Sequence, residues 1–294
     1  MNKGIFLTAL SALLYGSIGY FGSKLLGTGI DVYNMLFWRF LISCLILLPF
    51  VSIFLFRYKI GARKRVLASF IVLGSTFHGL GTAAYFTSSK RIGTGLAMVL
   101  FFTYPIFVVA LSYFIKNIAM TRATLFSLCL IILGCTMIAN GGDIISGFDL
   151  WGFILALASG LCYGLYVFYS KELNRTLSPV LSTFCVCLGS GLLFGFYLLA
   201  SNISFQWPQT ESVWLLYILF ALFGTVLPVL LMLAGMKYLQ ASTASIISVL
   251  EPVAVLAVGA LVLHEPIYKI QIAGALVVLC AAVLVYAKPR IRAL

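Results

Sequence analysis

Long apolar segments follow one another along nearly the whole chain, and they constrain its fold more than any other feature. Ten of them are each long enough to cross about 30 Å of hydrocarbon as an α-helix. They cover residues 4–26, 32–56, 66–88, 94–115, 122–140, 149–170, 179–201, 212–236, 241–263 and 269–287. The first is too long for the apolar region of a signal peptide, so it is interpreted as a helix. The sequence therefore predicts an all-α membrane protein with ten transmembrane helices.

The composition agrees with a surface that faces a lipid bilayer. Hydrophobic residues make up 63% of the 294 residues and charged residues only 9%, whereas a soluble domain keeps about a quarter of its residues charged. The net charge of +12 lies in short connections without a basic face, which argues against nucleic-acid binding. The seven cysteines lie in apolar segments and predict neither disulfides nor a metal site. No metal and no cofactor is expected.

The charges of the connections predict the orientation of the chain. With the N-terminus inside, fourteen basic residues fall in cytoplasmic segments and four in external ones. Lys and Arg are retained on the cytoplasmic side of membrane proteins. We therefore expect a multi-pass protein of the inner (cytoplasmic) membrane, with both termini and the 57–65 loop in the cytoplasm.

A shift of 147 residues superimposes landmarks of the two halves of the chain. The matches are Ser23-Lys24 with Ser170-Lys171, Lys90 with Lys237, Pro105 with Pro252 and, after a one-residue slip, Tyr15-Gly16 with Tyr163-Gly164. Five helices per repeat is an odd number, so the second repeat would enter the membrane from the opposite side. We predict two inverted five-helix repeats, residues 1–147 and 148–294, within one membrane unit. Such repeats are typical of secondary transporters, with the substrate near the midplane.

Two charged residues lie well inside predicted helices. Charges at membrane depth are costly and usually face the interior of a helix bundle. Arg39 is a candidate anchor for a substrate carboxylate, and Glu251 is a candidate site for a coupling ion, such as a proton. The alternative is structural, in which the two side chains pair, or each bonds to backbone carbonyls, and so lock helices together.

Polar and aromatic side chains at similar depth complete the candidate site. His78 lies among Gly74, Gly79 and Gly81, which would let a ligand approach closely. The alternative is a packed histidine with one hydrogen bond. The predicted substrate-binding residues are His78, Tyr104 and Glu251, followed by Tyr85, Tyr15 and Arg39.

Three prolines are predicted to act as hinges. Pro105, Pro252 and Pro228 each fall within a predicted helix, where proline removes a backbone hydrogen bond and kinks the chain. In a transporter, the freed carbonyl can face a cavity. Kinks without a mechanistic role are the alternative.

Four stretches of the chain form recognisable motifs: Tyr15-Gly16, Arg39-Phe40-Leu41, Leu250-Glu251-Pro252-Val253, and the segment from His264-Glu265-Pro266 to Gln271 and Gly274. They resemble motifs of the EamA family, which belongs to the drug/metabolite transporter superfamily. The resemblance covers essentially the whole chain. It implies a five-plus-five carrier of metabolites, frequently an exporter of amino acids or related compounds.

These observations predict a secondary transporter that moves a small polar or zwitterionic metabolite by alternating access. No GxxxxGK[ST] loop is present, so the driving force would be an ion gradient or the substrate itself. A lipid-carrier flippase of the same superfamily, an intramembrane enzyme and a channel remain alternatives. An enzyme is not expected, because a single embedded histidine and a single embedded carboxylate do not make a recognisable catalytic group.

Overall fold

The computed structural model of the chain describes residues 2–57, 64–139, 149–262 and 267–287. Within these ranges the chain is helical, with connecting turns and no β-strand. The motif residues His264, Glu265 and Pro266 lie outside the described residues, as do residues 58–63 of the predicted cytoplasmic loop and the last residues of the chain.

Ten helical spans, named α1–α10 in chain order, make up the described ranges, and several consist of more than one segment. They are α1 (Asn2–Tyr15 and Ile18–Leu26), α2 (Val32–Arg57), α3 (Lys64–Leu73, Gly74–Gly79 and Leu80–Ile92), α4 (Thr94–Phe101 and Tyr104–Lys116), α5 (Arg122–Ala139), α6 (Leu150–Leu173), α7 (Pro179–Ala200), α8 (Glu211–Ala221, Leu222–Val226 and Leu227–Met236), α9 (Ala241–Ile247, Ser248–Leu250 and Glu251–Val262) and α10 (Lys269–Ala287).

Of the described helices, α1–α9 are each long and apolar enough to cross a membrane, while the apolar helix Lys269–Leu284 within α10 is shorter. The prediction of an all-helical, multi-pass membrane protein is therefore confirmed. A tenth crossing stays a prediction.

Five of the helices predicted as continuous are interrupted. The segments Gly74–Gly79 of α3 and Leu222–Val226 of α8 are π-helical, and Ser248–Leu250 of α9 is a 3₁₀ turn. α1 breaks after Tyr15 and α4 breaks before Tyr104. Hydropathy does not reveal these interruptions because the residues that form them are largely apolar or small. Interruptions of this kind in membrane helices often lie at functional sites.

The pairing of the helices is the same after the two halves of the chain are exchanged by the 147-residue shift. The pair of α1 and α8 becomes the pair of α6 and α3, while α2 pairs with α7 and α5 pairs with α10, their own counterparts. The contact of α5 with α10 depends on two glycines: a Cβ added at Gly134 would lie 2.8 Å from the Gly274 carbonyl oxygen. Small residues let membrane helices approach at this distance.

The three predicted hinge prolines lie beside the interruptions. Pro105 and Pro252 are each the second residue of a helical segment, and so is Pro228. The prediction of prolines in the middle of continuous helices is thus corrected, because each one starts a new segment. At the start of a helical segment, the missing N–H of proline costs less than it does in the interior.

Asp149 stabilises the first turn of α6 at one end of the bundle. Its carboxylate accepts a hydrogen bond from the Gly152 backbone N–H at 3.0 Å and lies 2.8 Å from Arg91 Nε. These contacts, with the hydrogen bond from Gly152 contributing most, lower the pKa of the Asp149 carboxyl below its ordinary value.

Candidate functional site

A cavity of about 610 Å³ lies mainly among α1, α3, α4 and α9, and α2, α5, α6 and α10 each contribute one or two lining residues. Its volume falls within the range of roughly 300–1,000 Å³ that is common for small-molecule sites. Five of the six predicted substrate-binding residues line it, namely Tyr15, Arg39, His78, Tyr85 and Glu251. The structure therefore brings most of the candidate residues together around one space.

The cavity extends from the middle of the spans towards one end of the bundle. Its lining reaches Ser23 near the end of α1, Thr94 at the start of α4 and Tyr268 just before α10. This is the end that the loop charges assign to the outside.

Arg39 is held firmly on α2 with only 1% of its surface exposed. Its Nε donates to Thr225 Oγ1 at 2.6 Å, and its Nη2 donates to the Gly224 carbonyl oxygen at 2.7 Å. Pro228 has no N–H to donate to the carbonyl four residues earlier, which is that of Gly224. The interruption of α8 thus leaves an acceptor for the guanidinium.

The remaining nitrogen of this guanidinium, Nη1, is buried and has no hydrogen-bond partner among the described residues. The rings of Phe40 and Phe220 lie 5.1 and 4.5 Å from Cζ. Two nitrogens of the guanidinium are thus held by hydrogen bonds, and the third is a buried donor without a partner, which is costly.

Glu251 begins the last segment of α9 and lines the same cavity. No salt bridge within 4.0 Å joins it to Arg39, and the ion pairs found among the described residues are Arg91–Asp149, Lys116–Glu172 and Arg175–Glu172. A direct pair of Arg39 and Glu251 is absent in this conformation. The bond from Arg39 to the Gly224 carbonyl, however, fits the structural alternative in which the side chain joins helices through backbone carbonyls. Both residues also line the cavity.

His78 lies in the π-helical segment of α3 and is 3% exposed. Its Nδ1 is 3.4 Å from Ser190 Oγ on α7, and that hydroxyl donates to the Gly74 carbonyl at 2.9 Å. The ring packs edge-to-face against Tyr166 with centroids 4.9 Å apart. His78 is thus packed through one side of the ring and still lines the cavity.

Tyr104 is the predicted substrate contact that the structure places elsewhere. It is fully buried, it is not part of the cavity lining, and its hydroxyl donates to the Ser245 carbonyl at 3.1 Å. Tyr163 and Phe101, which do line the cavity, pack against its ring at centroid distances of 4.8 and 5.4 Å. In this conformation, Tyr104 supports the wall of the cavity from behind.

The structure adds polar lining residues to the predicted set. Tyr163, the repeat counterpart of Tyr15, lines the cavity beside it, and Thr82 follows His78 by one turn on α3. Gln271 also lines it, and its Nε2 donates to the Ile138 carbonyl at 3.2 Å, which links α10 to α5. Two sequence signals could have found them: the repeat for Tyr163 and the resemblance motif for Gln271.

Cysteine, histidine and carboxylate side chains do not gather in a way that would hold a metal ion in the part of the chain that the structure describes. The polar groups of the cavity lining include a guanidinium, a carboxyl group, an imidazole and tyrosine hydroxyls, which lie within a larger apolar lining. These groups can bind a polar molecule that carries both signs of charge.

The fold and the cavity define a multi-pass membrane protein with a cavity between its helices that is lined by apolar and polar side chains. Residues 2–140 and 150–287 match the EamA-like transporter family, and the chain therefore belongs to this family. A solved crystal structure has the same fold, with a TM-score of 0.78 and 16% identity over 97% of this chain and 96% of that one.

Two related proteins also bear the name of transporters. An uncharacterized transporter of Archaeoglobus fulgidus is 25% identical over 287 residues, which cover 97% of both chains. The uncharacterized transporter YoaV of Bacillus subtilis is 28% identical over 235 residues, which cover 79% of this chain and 80% of that one.

Proposed function

We propose that this chain is a secondary transporter that moves a small polar or zwitterionic metabolite across the inner membrane by alternating access. An amino acid or a related compound is the proposed substrate. Export is the proposed direction, since the family that the chain resembles includes many exporters.

The observation that carries this proposal is the pair of opposite charges in one cavity. Arg39 and Glu251 both line this space without a salt bridge between them, and Nη1 of Arg39 is a buried donor without a partner. A zwitterion would place its carboxylate at Arg39 and its ammonium group near Glu251. Both partners would then be satisfied, which offsets the cost of burying charge at membrane depth.

The interruptions of the helices support an inverted repeat. The π-helical segments Gly74–Gly79 and Leu222–Val226 coincide after the shift of 147 residues, as do the segments that begin at Tyr104 and at Glu251. The two stretches that match the family, 2–140 and 150–287, have nearly the same length, and the offset between them is close to the 147-residue shift. Broken helices at repeat-related positions are a common construction of transporter sites.

The proposed orientation places both termini in the cytoplasm and opens the cavity to the outside. It rests on the excess of Lys and Arg in the connections at the opposite end. Protons are the proposed coupling ion, with Glu251 as the group that carries them.

Saturable counterflow in liposomes tests the proposal. Purified protein reconstituted with an internal amino-acid pool is expected to exchange it for labelled external substrate, and Arg39→Lys is expected to reduce this exchange strongly. A thermal-shift screen would supply the substrate, since a ligand at 100 times its Kd stabilises the folded state by about 2.7 kcal/mol. Movement of a lipid carrier between leaflets without counterflow would favour the flippase and contradict this proposal.

A further inference from the structure

The lining of the cavity is matched by buried residues at the other end of the bundle. The lining residues Ser23, Thr82 and Tyr85 belong to the first repeat and are exposed or half-buried. The residues 147 positions later are Ser170, Val229 and Met232, none of which is more than 1% exposed.

The same relation holds in the opposite direction. Lining residues of the second repeat include Glu251, Val255, Leu256, Gly259 and Gln271. The residues 147 positions earlier are Tyr104, Val108, Val109, Ser112 and Thr124, of which none is more than 7% exposed. One end of the bundle is thus open where the corresponding positions at the other end are packed shut.

Three side chains form hydrogen bonds between helices at the packed end of the bundle, which is called the closed end below. Lys171 Nζ on α6 donates to the Met236 carbonyl at the end of α8, and Lys237 Nζ just beyond α8 donates to the Leu177 carbonyl at 2.9 Å. Asn174 Nδ2 donates to the Leu233 carbonyl. All three join the end of α6 and the turn that follows it to the end of α8.

The equivalent lysines at the open end are free. Lys24 and Lys90 correspond to Lys171 and Lys237, both are exposed, and neither has a hydrogen bond or an ion pair within the described ranges. The carbonyls that correspond to their targets are those of Ser89 and Ile30. Part of the cavity lies between the two helix ends that these bonds would join.

We propose that these lysines form a latch that changes ends during the transport cycle. In the opposite conformation Lys24 donates to the Ser89 carbonyl and Lys90 donates to the Ile30 carbonyl. The bonds of Lys171 and Lys237 then break, and a cavity opens between α6 and α8, lined by Ser170, Val229 and Met232. This inference deepens the proposed function, because it rests on alternating access between two inverted repeats.

The latch is unequal at its two ends. Asn174 corresponds to Gly27, which has no side chain to make a third bond. The closed end therefore has one hydrogen bond more than its counterpart can form. This difference favours the present conformation by about one hydrogen bond.

Amide hydrogen exchange measured by mass spectrometry on the full-length protein tests the latch. Lys171→Met combined with Lys237→Met removes two bonds and keeps the aliphatic stems. Exchange in peptides from 165–177 and 229–240 should rise about fivefold or more, since one net hydrogen bond contributes on the order of a factor of five. Lys24→Met combined with Lys90→Met removes bonds of the opposite conformation, so exchange in the same peptides should fall.

Lys116→Met is the matched control, because it removes only a partly exposed salt bridge to Glu172 at the same end. It should leave exchange in these peptides unchanged. If the double variant of Lys171 and Lys237 exchanges faster along every helix, Asn174→Gly replaces it. This change gives position 174 the residue of its counterpart Gly27 and removes the bond to the Leu233 carbonyl, together with the bond that Asn174 Oδ1 accepts from Ser182 Oγ at 3.3 Å. Equal exchange in the wild type and Asn174→Gly would overturn the latch.

The latch is supported if amide exchange in these peptides rises in the double variant of Lys171 and Lys237 and falls in that of Lys24 and Lys90. Changes in the same direction, or no change, overturn it. Counterflow measured separately distinguishes this failure from failure of the proposed function. If the wild type shows substrate counterflow and the variants show unchanged amide hydrogen exchange, the protein is a carrier without this latch. Shifted amide exchange in a protein without counterflow supports the latch and contradicts the proposed cargo.

Discussion

Arg39 and Thr225 are separated by 186 residues in the sequence and joined by a hydrogen bond of 2.6 Å between Nε and Oγ1. The bond links α2 of the first half to the π-helical segment of α8 in the second half. Thr225 is also the residue that corresponds to His78 after the 147-residue shift. At this position the first repeat has His78, which lines the cavity, and the second repeat has Thr225, which holds the guanidinium of Arg39.

Thr225→Val should destabilise the protein, since it leaves Nε of a buried guanidinium without its acceptor. The expected loss is about 1–3 kcal/mol in the free energy of unfolding, as for other hydrogen bonds to charged groups. Thr225→Ser keeps the hydroxyl and is the control. Thermal unfolding in detergent should rank the wild type and Thr225→Ser above Thr225→Val. Equal stability of the two variants would show that the bond does not contribute.

Glu251→Gln should leave the protein folded, because no salt bridge to Arg39 is lost. It should abolish uptake driven by a pH gradient while exchange of substrate for substrate continues, since only the proton-carrying group is removed. Uptake into liposomes with an imposed pH gradient measures the driven transport, and counterflow measures the exchange of substrate for substrate. Glu211→Gln, an exposed change at the start of α8, is the control. Gradient-driven uptake that survives in Glu251→Gln would rule out the proton role.

His78→Ala should weaken substrate binding about tenfold, which corresponds to the loss of a direct polar contact. Tyr104→Phe should lower thermal stability and leave affinity nearly unchanged, because its hydroxyl bonds to the Ser245 carbonyl and the ring does not line the cavity. Titration calorimetry with the substrate found by thermal shift measures both. A tenfold loss in Tyr104→Phe would restore Tyr104 as a substrate contact.

The positive charge of the connections predicts which side each loop faces. A cysteine at Lys59 should react with a membrane-impermeant maleimide only when the cytoplasmic side is accessible, and a cysteine at Lys269 should react from outside. The wild type, with its native cysteines, supplies the background. Reaction of the Lys59 position from outside would reverse the orientation and the assignment of the open end.

Asp149 should make stability depend on pH in the acidic range. Its pKa is lower in the folded state than in the unfolded one. Its contribution is therefore fully present above the unfolded value, and it is lost as the pH falls below about 4 and through the folded value. Asp149→Asn removes the charge, so the difference in Tm between the wild type and the variant should shrink in acid. A difference that stays constant from pH 7 to pH 3 would contradict this assignment.

Hydropathy was sufficient to place the spans. The fifth predicted span, 122–140, is observed as Arg122–Ala139, and the seventh, 179–201, as Pro179–Ala200. A window of apolar residues reports burial in lipid, which is a property of the whole segment. It cannot report the π-helical turns of α3 and α8, since those follow from contacts between helices that are distant in the sequence.

The candidate site was predictable in composition and less so in geometry. Arg39 and Glu251 were found because charge at membrane depth is rare, yet their partners depend on tertiary contacts that no local pattern encodes. The repeat makes Tyr104 equivalent to Glu251, which favours it as a substrate contact, but a single conformation opens the cavity on one side only. Residues that the repeat makes equivalent are therefore unequal in any single state, as the burial of Tyr104 illustrates.

The acceptor that Pro228 leaves to Arg39 is a main-chain oxygen, and its chemistry does not depend on which side chain occupies position 224. Substitutions along the cavity-facing side of α3 or α9 can consequently alter the shape and polarity of the cavity. The hydrogen bond from Arg39 to the Gly224 carbonyl, one of the two that hold the guanidinium, would persist. A lineage of such proteins could exchange one charged cargo for another without rebuilding the support of its guanidinium. In this bundle, the means of holding a charge and the means of choosing a molecule are assigned to different parts of the chain.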